Sequence, residues 1–161
     1  MNWLSKLTSE GRSHNAASQI DANLTALGAQ WREAGHEVKL ASGELMMDTM
    51  RHLIPDYDFS RNAYVQFFSF ALEKPELLEQ RAKHFTDIAT AARTEDQSLF
   101  FVTAILAELF TLFAINTGSK RDDTRKEAGA LYATHSRTVN DMIQYVLFHH
   151  SPAGTRHRAA D

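Results

Sequence analysis

The chain has 161 residues, the size of one ordinary domain, with 43% hydrophobic and 23% charged residues. A net charge of −3 argues against a broad phosphate-binding surface, so nucleic acid is not an expected partner. The lack of cysteine excludes disulfides, thiolate metal sites and cysteine nucleophiles, and it fits a reducing compartment such as the cytoplasm. With 7 Gly and 3 Pro, the chain is too poor in turn residues for an all-β fold.

Met1 to Leu7 reads as a short helix or arm, with Trp3, Leu4 and Leu7 on one face. Its apolar run is too short for a signal peptide and no cleavage site follows. A membrane-surface anchor is the alternative, opposed by Lys6 being the only basic side chain there. Residues 1–14 are read as this arm, 15–150 as a single helical-bundle domain, and 151–161 as a disordered C-terminal tail.

Asn15 to Ile54 carries the clearest periodicity. Ile20, Leu24, Leu27, Trp31, Ala34, Val38, Ala41 and Leu45 follow one another at spacings of 4, 3, 4, 3, 4, 3 and 4. That is an unbroken heptad seam. Gly28, Gly35 and Ser42 recur every seven residues beside it, a small-residue column that would let a second backbone come close. Leu24, Leu27, Gly28, Trp31, Gly35 and Val38 are therefore the candidate interaction residues, with a homodimer the expected assembly. Ser42-Gly43 could break the segment into two helices, and the pattern leaves both readings open. Without a break the seam would place Asp48 and His52 at core positions; with one the apolar face shifts to Met46, Met50 and Leu53. Pro55 ends the segment.

A loop from Pro55 to Phe59 follows, with Asp58 or Ser60 as cap of the next helix. That helix carries Tyr64, Phe67, Phe68 and Ala71 on one side. Pro75 suits the first turn of the helix after it, whose apolar stripe reads Leu78, Ala82, Phe85, Ile88, Ala89 and Ala92. Thr94 and Gln97 have capping-box spacing before the most apolar stretch, Ser98 to Ile115. Gly118 is placed for a left-handed C-terminal cap, and Ser119 caps a last long helix. The inward stripe of that helix is Ala128, Leu131, His135, Val139, Met142 and Val146. The first and last long helices are expected to pack antiparallel.

Ser98 to Ile115 is apolar on every side, so it must be buried in a core or a bilayer. Its length is near the lower limit for a span. About eleven Leu, Phe, Ile and Val residues would each favour insertion by roughly 0.3–0.6 kcal/mol, and Glu108 opposes it by about 3 kcal/mol. Context decides, and the one-sided apolar faces of the other helices need a partner. The expectation is a core helix, with a membrane span as the alternative. One of its faces is bulky (Leu99, Val102, Leu106, Leu109, Phe113). The other is small and partly polar (Thr103, Ala104, Ala107, Glu108, Thr111, Ala114).

Few residues suggest chemistry. Glu33-x-x-His36 matches half of a di-iron carboxylate motif, but no second Glu-x-x-His exists and the pair falls outside the seam. Asp48 and His52 share a helix face, Glu108 sits in the apolar helix, and His135 lies on an apolar stripe. A buried carboxylate must be neutralised, paired or coordinated, so Glu108 and His135 are natural partners. Together, Asp48, His52, Glu108 and His135 could form an oxygen and nitrogen site for a divalent metal. The residue four after His135 is Val139, which removes a His-x-x-x-His pattern. His149, His150 and His157 read as a solvated helix end and tail. Met46, Met47 and Met50 read as core filling. Lys120, Arg121, Arg125 and Lys126 interleave with Asp122, Asp123 and Glu127 as a solvated helix start. Nucleophile-elbow, Walker and dinucleotide motifs are absent.

The sequence thus predicts an all-α bundle of four or five helices around Ser98–Ile115. The leading functional expectation is a non-enzymatic interaction or accessory protein that self-associates, without a cofactor. A metal-binding bundle and a membrane-associated subunit are the alternatives.

Overall fold

The computed structural model describes residues 14–150. Six α-helices occur among them, and no strand: α1 (His14–Glu33), α2 (His36–Leu53), α3 (Ala63–Glu73), α4 (Leu78–Ala92), α5 (Gln97–Gly118) and α6 (Asp122–His150). A 3-10 turn at Pro75–Leu77 leads into α4, where the fixed φ of Pro75 suits a first turn. The expected N-terminal arm and C-terminal tail lie outside the described residues.

Helix α5 is the centre of the bundle. Every residue from Phe101 to Ile115 is buried, on the bulky and the small face alike. Helices α1, α2, α4 and α6 pack on it directly, and α3 reaches it through aromatic rings. Phe110 is the hub of that aromatic layer. Its ring stacks on Phe85 of α4 and meets Phe67 and Phe70 of α3 edge-on. Two buried threonine hydroxyls of α5 are satisfied within the helix: Thr103 donates to the Leu99 carbonyl at 2.7 Å and Thr111 to that of Ala107 at 2.8 Å. Back-bonding of this kind lets threonine sit in an apolar interior. By length and composition α5 could also cross a membrane; here it is enclosed by the other helices.

The break between the first two helices falls at Ala34-Gly35 and not at Ser42-Gly43. Helix α1 ends at Glu33 and α2 begins at His36, while α2 runs unbroken through Ser42 and Gly43. Gly35 is the N-cap of α2, with extended backbone at φ −68° and ψ 164°. Because the chain turns there, the heptad seam does not continue. Ile20, Leu24, Leu27 and Trp31 are buried, but Val38 and Leu45 are half-buried and Ala41 is exposed. Ser42, Gly43, Met46, Met47 and Met50 face inward in their place.

Three caps also move. Asn62, not Asp58 or Ser60, caps α3 by accepting from the Tyr64 amide at 2.7 Å. Asp96, not Thr94, caps α5 by accepting from the Leu99 amide at 3.0 Å. No glycine among the described residues has positive φ, so Gly118 supplies no left-handed cap. The N-terminus of α3 is held by α6: the Ala63 amide donates to Asn140 Oδ1 at 2.9 Å.

Helices α1 and α6 run in the same general direction, against the antiparallel expectation. Contacts climb both together, from Asp21–His135 through Gly28–Thr138 to Arg32–Asp141. The turn between α5 and α6 is short, so these two are antiparallel neighbours, with Phe113 against Tyr132 and Asn116 against Arg125. Helices α1 and α6 both pack on α5 and also touch one another directly.

Candidate functional site

The four residues considered for a metal are not brought together. Asp48 and His52 are exposed on α2, and Asp48 pairs with Arg51 at 3.1 Å. Glu108 is fully buried in α5. His135 of α6 is buried, and its Nε2 lies 2.7 Å from Asp21 Oδ1 of α1. No group of three or more His, Asp or Glu among the described residues is placed to share an ion.

Glu108 and His135 therefore each find a neighbour on α1 instead of one another. Asn23 Oδ1 accepts from Gln19 Nε2 at 3.1 Å, which leaves its Nδ2 buried. Burial pushes the Glu108 pKa well above the ordinary carboxylate range, and the Asn23 amide pulls it back only in part. No hydrogen bond of good geometry joins the two, and both Glu108 oxygens stay unpaired. A protonated carboxyl is the form such a site holds, since a charged one would face the full desolvation cost. Tyr57 behaves alike: burial raises its hydroxyl to about 12.

The candidate interaction residues are largely consumed within the chain. Leu24, Leu27 and Trp31 lie in the core, and Gly28 faces Arg32 and Thr138. Gly35 is exposed with nothing near it, and Val38 is half-buried. The close backbone approach that a small residue permits occurs at Gly43, outside the column. There a Cβ would come within 2.4 Å of the Met142 carbonyl oxygen.

An apolar face remains uncovered on α3. Ala63, Phe67, Phe70 and Ala71 point inward. Val65 and Leu72 point outward, 46% and 56% exposed, and Phe68, 37% exposed, lies between them at i+3 with one side of its ring against Phe113 of α5. They are three of the four exposed large hydrophobic side chains among the described residues, so they form a stripe and not a scatter. Ser69 lies beside them with its hydroxyl turned onto the Val65 carbonyl at 3.2 Å. A shallow groove next to the stripe is lined by Leu53, Ile54, Pro55, Val65 and Phe70. The sequence reading missed this face because it saw only one side of α3. The signal was there: Val65 and Leu72 are large apolar residues that fall off the Tyr64–Phe67–Phe68–Ala71 side.

No family model matches the chain, and no curated protein or solved structure is significantly similar to it.

Proposed function

We propose that this is a non-enzymatic helical interaction protein that self-associates through α3, acting in the cytoplasm with α5 as its core helix. The observation that carries the reading is the exposed Val65–Phe68–Leu72 stripe on a helix whose other side is already packed. Apolar side chains aligned on one helix face lose water contact only if another surface covers them.

A second copy of this chain is the occupant that fits best. Arg61 is exposed just before α3, while Glu73 ends it and Glu76 lies just beyond, both exposed. Two α3 helices laid antiparallel about a two-fold axis bring Val65 of one against Leu72 of the other and Phe68 near its own mate. The same pairing sets Arg61 toward Glu73 and Glu76 of the partner subunit. The two glutamates outweigh the intervening Lys74, whose ammonium lies 6.0 Å from the Phe70 ring centroid, so the charges at the two ends of the stripe favour this register over a parallel one.

Light scattering on a charge-swap series tests the proposal. Arg61→Glu weakens the dimer by placing like charges together, and adding Glu73→Arg and Glu76→Arg restores it. A chain whose mass ignores all three changes overturns the α3 pairing. The membrane-associated reading rests on the length and apolarity of α5 alone; recovery of the protein only in detergent would favour it.

A further inference from the structure

We propose that His36 and His149 form a two-imidazole site for a divalent transition-metal ion, joining the start of α2 to the end of α6. The two residues are far apart in sequence, yet their ring centroids lie 4.9 Å apart. Two imidazoles on one tetrahedral ion, each with a metal–nitrogen bond of about 2.0 Å, have centroids about 5 Å apart. The spacing is that of rings able to share an ion.

Tyr145 organises both rings. His149 Nδ1 lies 2.7 Å from the Tyr145 carbonyl oxygen, which can only accept, so Nδ1 carries the proton and Nε2 keeps its lone pair. His36 Nδ1 lies 2.6 Å from the Tyr145 hydroxyl. When His36 donates to that oxygen, its Nε2 is likewise free to bind metal. Ligand histidines are held in this way, one ring nitrogen on a carbonyl or hydroxyl and the other on the ion. Tyr145 is fixed in turn by Trp31, edge-on at 6.2 Å. The Lys39 ammonium is a like charge nearby, and it is engaged by the ring faces of Trp31 and Tyr145 at 5.9 and 5.7 Å. Glu33 and Glu37 flank His36 in sequence and are both exposed.

Two nitrogen ligands leave the remaining positions of the ion to water or to an added donor. Imidazole donors suit Zn²⁺, Ni²⁺ and Cu²⁺ and not the harder Mg²⁺ or Ca²⁺. The site is separate from the α3 face, so it stands or falls independently of self-association.

Titration of the full chain with Zn²⁺, followed by calorimetry and thermal unfolding, tests the assignment. The expected result is one ion per chain and a Zn²⁺-dependent rise in Tm, because an ion bound only by the folded state stabilises it. His36→Gln and His149→Gln each abolish the rise, and Tyr145→Phe, which keeps both ligands, weakens binding about 10-fold or more. Mg²⁺ at the same concentration produces none of this. Binding that survives His36→Gln would assign the ion to the histidines near the chain end and overturn the proposal, as would the absence of any Zn²⁺ binding. ¹⁵N chemical shifts of the two imidazoles report the bridge directly even if a variant folds poorly: both Nε2 resonances move on Zn²⁺ addition to the wild-type chain.

Discussion

Gly43 of α2 lies so close to α6 that a Cβ there would sit 2.4 Å from the Met142 carbonyl oxygen and 2.3 Å from Val146 Cγ2. The first of these is backbone and cannot yield without moving a helix. Gly43→Ala should therefore cost about 1–3 kcal/mol through overpacking, although alanine is the better helix former. Gly118→Ala is the matched control. It meets nothing within 4 Å, its φ is not positive, and the change should be neutral or stabilise by up to about 1 kcal/mol. Denaturant midpoints of the two variants check the contrast.

Glu108 makes stability depend on pH. Burial raises its folded-state pKa well above the ordinary carboxylate range. The folded chain thus holds a proton that the unfolded chain releases, so stability falls as pH rises above about 4.5, by at most about 1.4 kcal/mol per pH unit. The loss continues until pH passes the raised folded pKa. Glu108→Gln keeps the shape and cannot ionise, so it should flatten that slope and exceed the wild type in stability at neutral pH. Urea unfolding from pH 4.5 upward checks the sign; equal slopes in the two proteins would contradict it.

Asp96 is the side chain that satisfies the start of α5. Asp96→Ala should cost about 1 kcal/mol, within the usual range for an N-cap, while Thr94→Ala should change stability by less than about 0.5 kcal/mol. Thermal unfolding of the two single variants separates them.

Much of this fold was legible from residue pattern. The all-round apolarity of Ser98–Ile115 marked the central helix, and of the α6 stripe Ala128, His135, Val139, Met142 and Val146 are buried, while Leu131 is half-buried and Tyr132 beside it is buried. What escaped was set by contacts across helices. The heptad runs through Ala34 and Gly35 without a proline, and Gly35, the one local sign of a turn, is masked by its seven-residue spacing from Gly28 and Ser42. His135 meets Asp21, a half-exposed residue beside the seam, and Glu108 meets Asn23 on the same helix. Those pairings depend on α1 lying against both α5 and α6, a fact of topology that periodicity does not contain. His36 and His149 met only once α2 had been separated from α1.

Val65, Phe68 and Leu72 carry the functional claim. Leu72→Ser removes apolar surface that the single chain leaves exposed, so monomer stability should change by less than about 0.5 kcal/mol. Self-association should weaken markedly in the same variant. Chemical unfolding at low protein concentration, read beside sedimentation velocity at high concentration, separates the two effects. A large loss of monomer stability would instead make Leu72 a core residue.

The central claim is that this face holds two copies together, and native mass spectrometry of the wild-type chain, purified without detergent and sprayed across the micromolar range, tests it most directly. A dimer that dissociates on dilution, and that Leu72→Ser reduces to monomer, is the predicted result. A monomer at every concentration would contradict the account.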